Sequence, residues 1–367
     1  MKKIAIIYPK DSEALFNQKS IKTFGGASVQ LFLMNKELNK YSNLKTFAII
    51  NDCYQLNPDE NSSFNLVRTF QRKDFIFKKI YSFHEKIKEI KPDFILQRGL
   101  TLASCLLSIY CHFFKIKYIF MFAHDRESQG RYQKSNRQCL FFRFLLKFSY
   151  LLIVQNKEQR EDLSDKYSFK IETIYSGYEI KTSENQFAEK NDILWVSRLD
   201  SWKRPEIFIK LAEARPQLKF VMIAPILKDN KSYGEKIYQQ AAKVKNLEVL
   251  PFVSFKDIDF YFKKAKVFVN TSTQEGFPNT FIQAGKNQTP ILSLKINPNN
   301  FLSEYKAGLC CQDDFAFMLK NLDLFFEDKK FYEELSSNVY QYVKKNHNIK
   351  DKGKELRNLI VKDEEID

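Results

Sequence analysis

Residues 193–214 read ILWVSRLDSWKRPEIFIKLAEA. The apolar run Ile193–Val196 has the length and character of a strand buried on both faces. It ends at Ser197, and a polar loop carries Arg198 and, five residues on, Lys203. Pro205 then suits the first turn of a helix through FIKLAEA, where its missing N–H has no intrahelical partner to lose. Strand, loop and helix in this order make one βα unit, and such units build a parallel sheet.

The same alternation extends in both directions. After this unit come the apolar runs KFVMIAP (219–225), LEVLPF (247–252), VFVNT (267–271) and ILSL (291–294). Before it come IAIIY (4–8), FAII (47–50), FILQ (94–97), YIFMFA (118–123) and LLIVQ (151–155). Each half therefore reads as a doubly wound α/β domain, and 367 residues suffice for two cores. The periodicity lapses at SGYEIKTSENQFAEKND (176–192), which marks the break between domains. Two domains joined there would face each other across a cleft. The closing stretch FYEELSSNVYQYVKKNHNIKDKGKELRNLIV (331–361) has a helical pattern, and its end is expected at the domain junction.

Apolar residues make up 44% and charged residues 28% of the chain, a composition for packed domains and against extended disorder. The initial run IAII is too short for a signal h-region or a membrane span, so the expected location is the cytoplasm. None of Cys53, Cys105, Cys111, Cys139, Cys310 and Cys311 forms a C-x-x-C pair, and the four histidines are scattered. No metal centre is expected from that set. The net charge of +15 is uneven: residues 1–180 hold 29 Lys+Arg against 18 Asp+Glu, or +11, and residues 181–367 hold 30 against 26, or +4. A basic first half suits an acidic glycan, an anionic membrane leaflet or nucleic acid, or is simply a solubilising surface. No nucleic-acid motif accompanies the charge, which ranks that partner last. The segment NRQCLFFRFLLKFSYLLIVQN (136–156) is the most apolar and aromatic part of the chain, broken by Arg143 and Lys147. It reads as a helix and a core strand, with its basic residues leaving contact with a membrane surface open.

Two loops carry the chemistry. Ligands of open α/β sheets sit beyond the carboxyl ends of strands, where Arg198 and Lys203 fall. A guanidinium that grips two oxygens beside a compact ammonium suits a diphosphate. The second loop lies in VFVNTSTQEGFPNTFIQAG (267–285): a strand, then Glu275 and Gly276, then Phe277 and a helix opening near Pro278, Asn279 and Thr280. Helix-start N–H groups favour phosphate or sugar oxygens, Gly276 admits a ligand to the backbone, and Glu275 can accept hydrogen bonds from sugar hydroxyls. Exposed loop cations and a capping carboxylate would account for the same residues one at a time.

Together these residues resemble the donor half of the retaining glycosyltransferases of family 4, which have the GT-B architecture of two Rossmann-like domains. The resemblance implies that Arg198 and Lys203 hold the donor diphosphate, that Glu275 contacts the transferred sugar, and that position 283 contacts the ribose. Here that position is Gln283, which loses the charge-assisted part of the contact. The turn GKNQTP (285–290) has Gln288 where the family typically has glycine. The run FGGASVQLFLMNKEL (24–38) resembles the family's glycine loop, with Gly25 and Gly26 near the donor phosphates, and YIFMFAHDRE (118–127) places His124 where the family has a histidine near the sugar. By resemblance the base rests on backbone near Pro251, Phe252 and Val253.

These readings imply an N-terminal acceptor-binding domain over residues 1–178, a C-terminal donor domain over 179–345 and a terminal helical segment over 346–367. The implied activity is a metal-independent retaining transfer with no cofactor, from a UDP or GDP type sugar to a glycan or lipid-linked glycan of the cell envelope. Peripheral contact with the anionic inner face of the cell membrane goes with it. Gln283 and the altered turn keep a second reading open, a catalytically weak GT-B subunit that binds a partner transferase.

Overall fold

The computed structural model describes residues 1–17, 20, 24–52, 64–71, 73–129, 136–164, 169–181 and 190–361. Cys53, residues 182–189 of the polar break and residues 362–367 of the terminal segment lie outside these.

Among the described residues the chain forms two all-parallel sheets. The first contains β1 (Lys2–Ile7), β2 (Leu44–Ile50), β3 (Asn65–Arg68), β4 (Phe94–Arg98), β5 (Lys117–Met121), β6 (Leu151–Val154) and β7 (Ile171–Thr173), in the order β3-β2-β1-β4-β5-β6-β7. The second contains β8 (Asp192–Val196), β9 (Lys219–Ile223), β10 (Leu247–Leu250), β11 (Ala265–Asn270), β12 (Ile291–Ser293) and β13 (Gly308–Cys310), in the order β10-β9-β8-β11-β12-β13. Ten of these strands coincide with the apolar runs of the sequence. The other three, β3 (NLVR), β7 (IET) and β13 (GLC), are all outermost in their sheets. An outer strand is short and partly exposed, so it needs no continuous apolar run.

The chain divides into two compact units, one of Met1–Gly177 with the chain from Ile349 onward, the other of Tyr178–Asn348. The helical pattern over 331–361 is two helices, Lys329–Asn346 in the second unit and Ile349–Val361 in the first. They part at His347, whose carbonyl accepts from Tyr178 N at 2.8 Å while Asn348 pairs with Tyr178 as an isolated bridge. Helix Ile349–Val361 packs on helix Gly26–Leu38, and Gly353 makes the approach possible, since a Cβ there would overlap the Glu37 side chain.

In the second unit Trp195, Phe208 and Phe220 are buried in one core, with ring centroids 6.3 Å and 5.4 Å apart in sequence order. A further aromatic group, Phe277, Phe301, Tyr342 and His347, packs beside helix Asn279–Lys286, with Phe277 4.4 Å from His347 and Phe301 4.8 Å from Tyr342. That helix is seated closely. A Cβ on Gly285 would overlap Val343 and lie 3.0 Å from the carbonyl of Val339. Its far end is held by Lys190, a buried lysine from the polar break, which donates to Asn287 O at 2.6 Å, Gln288 O at 3.0 Å and Thr289 Oγ1 at 3.1 Å. Ser336 Oγ donates to Gln288 O as well, at 2.7 Å. These donors fix a turn in which Gln288 is left-handed, with φ 54.

A side chain in that conformation costs energy that glycine avoids. Gln288→Gly is therefore expected to stabilise the second unit by up to about 1 kcal/mol, after the glycine's larger unfolded-state entropy is subtracted. A lower urea midpoint for this variant contradicts that account. Burial, with Lys266 pushing the same way, lowers the Lys190 ammonium from 10.5 to about 7. The folded chain then binds fewer protons at this site than the unfolded chain between pH 7 and pH 10.5, so the site's contribution to stability grows as pH rises through that window. The melting temperature of the native chain should accordingly rise relative to that of Lys190→Met from about pH 6 to about pH 9. A difference independent of pH would contradict it.

Candidate functional site

In the second sheet the chain proceeds outward from β8 through β9 to β10 on one side, and from β11 through β12 to β13 on the other. The order reverses between β8 and β11, and the crevice beyond such a reversal is where open α/β sheets take ligands. Arg198 and Lys203 follow β8, and Glu275 follows β11. The first loop tightens into a single 3-10 turn, Ser201–Lys203, and Arg204 turns left-handed, with φ 49, before the helix that begins at Pro205.

The two loops are bonded to each other along their length. Thr273 N donates to Trp202 O at 2.9 Å. The Thr271 hydroxyl accepts from Trp195 Nε1 at 3.0 Å and donates to Lys203 O at 2.6 Å. Arg204 Nε donates to Thr271 O at 2.8 Å, and its Nη1 reaches Asp313 at 2.6 Å. At the head of the site the Lys203 ammonium pairs with Glu275 Oε1, which also accepts from Ser272 Oγ at 2.9 Å. Side-chain exposures of 13% for Lys203 and 9% for Glu275 put the pair in a poorly solvated place, where removing one partner strands the other charge. The Lys203 ammonium also lies 3.9 Å from the centre of the Trp202 ring.

Arg198 is half-buried, and among the described residues its guanidinium has no hydrogen bond or ion pair. Its donors are thus available to a ligand. Helix Asn279–Lys286 starts after Pro278, whose side chain provides no cap bond to the first turn. Gly276 is buried in the loop before it. The ring of Phe277, 5% exposed, is committed to the aromatic group beside the helix. Gln283 is 7% exposed and its amide makes no hydrogen bond among the described residues. Phe252 and Val253 are half-buried beyond β10, two strands from β8 or about 10 Å across the sheet.

The first unit has its own reversal, between β1 and β4. Gly25 caps helix Gly26–Leu38, and a Cβ there would lie 2.7 Å from Asp11 Oδ2. Asp11 in turn accepts from Ser28 Oγ at 2.5 Å, so a carboxylate sits at this helix start. His124 caps the short helix Asp125–Ser128 after β5. Buried Glu127 shapes that loop: its two oxygens accept from Leu100 N at 3.0 Å and Ala123 N at 2.8 Å, and burial raises its carboxyl above the ordinary value. Gln155 Nε2 donates to Ala123 O at 2.6 Å, and Arg98 donates to Gln155 at 2.8 Å. Arg204, Asp11 and Glu127 escaped the reading of the sequence. Only Glu127 had a local signal, an acidic residue at the third position of a helix. Among the described residues no three or more His, Cys, Asp or Glu side chains are grouped as a metal site requires.

Residues 178–342 match the family model of glycosyl transferases group 1. These residues are nearly the whole second unit, so it is this unit that is similar to the group 1 glycosyltransferases. Among curated relatives, the Campylobacter jejuni protein "GalNAc-alpha-(1->4)-GalNAc-alpha-(1->3)-diNAcBac-PP-undecaprenol alpha-1,4-N-acetyl-D-galactosaminyltransferase" is 25% identical over 287 residues, covering 73% of this chain and 74% of its own. A capsular polysaccharide biosynthesis glycosyltransferase, CapH of Staphylococcus aureus, is 25% identical over 49% of this chain and 52% of its own. Among solved structures, Anabaena Alr3699/HepE in complex with UDP and glucose superposes with a TM-score of 0.77 at 14% identity, over 98% of this chain and 99% of that one. A sucrose-phosphate synthase from Thermosynechococcus elongatus gives 0.79 at 13% identity over 98% of each chain. The fold is accordingly GT-B, two parallel-sheet α/β domains.

Proposed function

We propose that this chain transfers a sugar from a nucleotide-diphosphate donor to a hydroxyl of a glycan acceptor, with retention of configuration and without a metal ion. The observation that carries the reading is the union of Lys203 and Glu275 at the β8/β11 reversal, with the unpaired Arg198 on the same loop as Lys203. Arg198 and Lys203 hold the two phosphates of the donor, and the helix start at Asn279 and Thr280 adds N–H groups to the same anion. As the bond from the anomeric carbon to the phosphate oxygen breaks, negative charge grows where these donors point, and fixed donors of that kind usually supply the largest part of a rate enhancement. The acceptor oxygen bonds to the anomeric carbon on the face the phosphate leaves, and its proton passes to a leaving phosphate oxygen. No protein nucleophile is required.

Glu275, held in place by its pairing with Lys203, accepts hydrogen bonds from the sugar's hydroxyls and orients the ring. Gln283 takes the ribose, with Phe252 and Val253 beside a uracil or guanine base. The first unit binds the acceptor, and in it the family resemblance assigns roles to Gly25, Gly26 and His124, which follow β1 and β5 of that unit's own sheet. The acceptor in this reading is a lipid-linked or envelope glycan, made by a chain that resides in the cytoplasm at the inner membrane face. The C. jejuni relative, whose name specifies an undecaprenol-linked acceptor, and the S. aureus capsule relative support that choice.

Two substitutions test the assignment when nucleotide release from candidate sugar donors is followed. Glu275→Ala should lower kcat/KM by about a hundredfold or more. Gln283→Glu should lower the donor KM, by restoring a charge-assisted bond to the ribose. Full activity of Glu275→Ala would contradict the reading and favour a subunit that only binds a partner transferase.

A further inference from the structure

Three helices of the first unit, Ile76–Ile90, Leu102–Phe113 and Asn136–Phe148, cover one face of the seven-stranded sheet. Ile87, Cys105 and Leu145 reach a single core from them, together with Ile95 and Phe120 of the sheet. The helices are side by side: the His84 ring lies 5.0 Å from Phe114, Phe83 lies 5.7 Å from Tyr110, and His112 stacks on Phe148 at 4.3 Å. Their outward side should then be polar, yet it carries large apolar side chains as well. Ten of the fifteen exposed large hydrophobics among the described residues fall between Phe75 and Leu140. Phe75 is 85%, Phe77 82% and Phe113 76% exposed, and Ile80, Leu106 and Leu140 join them. Leu102, Leu106 and Phe113 recur at helical spacing, so they form one unpartnered stripe on their helix.

Basic residues stand among these side chains. Lys88, Lys115, Arg143 and Lys147 are exposed, and neither residues 102–117 nor residues 136–150 contain an acidic residue. Glu85 and Glu89 are the acidic residues of the third helix, Ile76–Ile90, and Glu89 is paired with Lys86 at 2.9 Å. Exposed large apolar side chains gathered on neighbouring helices mark a surface that another body covers. A second copy would bring the same cations against these, whereas an anionic bilayer offers acyl chains to the rings and phosphates to the cations. No helix among the described residues is long and apolar enough to cross a membrane, so the contact would be one of surface.

We propose that this three-helix face docks the protein on an anionic lipid surface, with Phe75, Phe77 and Phe113 inserted at the acyl boundary and Lys115, Arg143 and Lys147 against the headgroup phosphates. Its purpose rests on the functional reading, since a lipid-linked acceptor is presented at such a surface. Flotation of the full chain with vesicles tests it without donor or acceptor. The chain should float with phosphatidylcholine vesicles containing about a third phosphatidylglycerol, much less with phosphatidylcholine alone, and less at high salt. Phe77→Ser with Phe113→Ser, and separately Arg143→Glu with Lys147→Glu, should each reduce flotation by about tenfold or more with melting temperature kept. Vesicle binding that ignores both pairs, or no binding by the native chain, overturns the proposal. So does a dimer, seen by sedimentation, that the Phe77→Ser, Phe113→Ser pair abolishes while flotation persists. Melting shifts with UDP and GDP on the same variants separate a failure of this surface from a failure of the donor reading.

Discussion

The site depends on the joining of two loops that the sheet topology brings to one place. Lys203 and Glu275 are 72 positions apart, yet they follow adjacent strands and meet where the strand order reverses. The contact is mostly shielded from water, so each charge relies on the other, and the Thr271 hydroxyl and Arg204 guanidinium fasten the backbone beneath them. A lysine has three protons to donate. One goes to Glu275, and the others can serve a phosphate without releasing the carboxylate.

The helix Asn279–Lys286 extends that logic. It begins four residues after Glu275, and its far end is buried against Val339 and Val343 at Gly285 and tied down by Lys190. A helix held this firmly at one end presents its other end in a fixed position, which is the condition for donors that do not reorganise during a reaction. On the first unit, Glu127 serves the loop of His124 in a similar way, through two backbone N–H groups.

Much of this was legible in the sequence because central strands of parallel sheets are buried on both faces and therefore appear as apolar runs. The ten runs located ten strands, while NLVR, IET and GLC, partly solvated at sheet edges, had no such mark. Arg198, Lys203 and Glu275 could be read from their places after strands. That Lys203 and Glu275 touch could not, since it follows from β8 and β11 being neighbours. Lys190 was hidden for another reason: it lies in the polar break, where a charged residue suggests solvent, and it is buried. The left-handed turn at Gln288 carried only the signal of glycine's absence, and the donors that hold it come from residues 190 and 336.

The most direct measurement of the central claim is the melting temperature of the full chain with UDP, GDP, ADP and their sugar conjugates, repeated on Lys203→Met. The Lys203–Glu275 site predicts that UDP or GDP and its sugar conjugate raise the melting temperature of the native chain, and that the rise is largely lost in Lys203→Met. No rise with any of these compounds, or an equal rise in the variant, would contradict it.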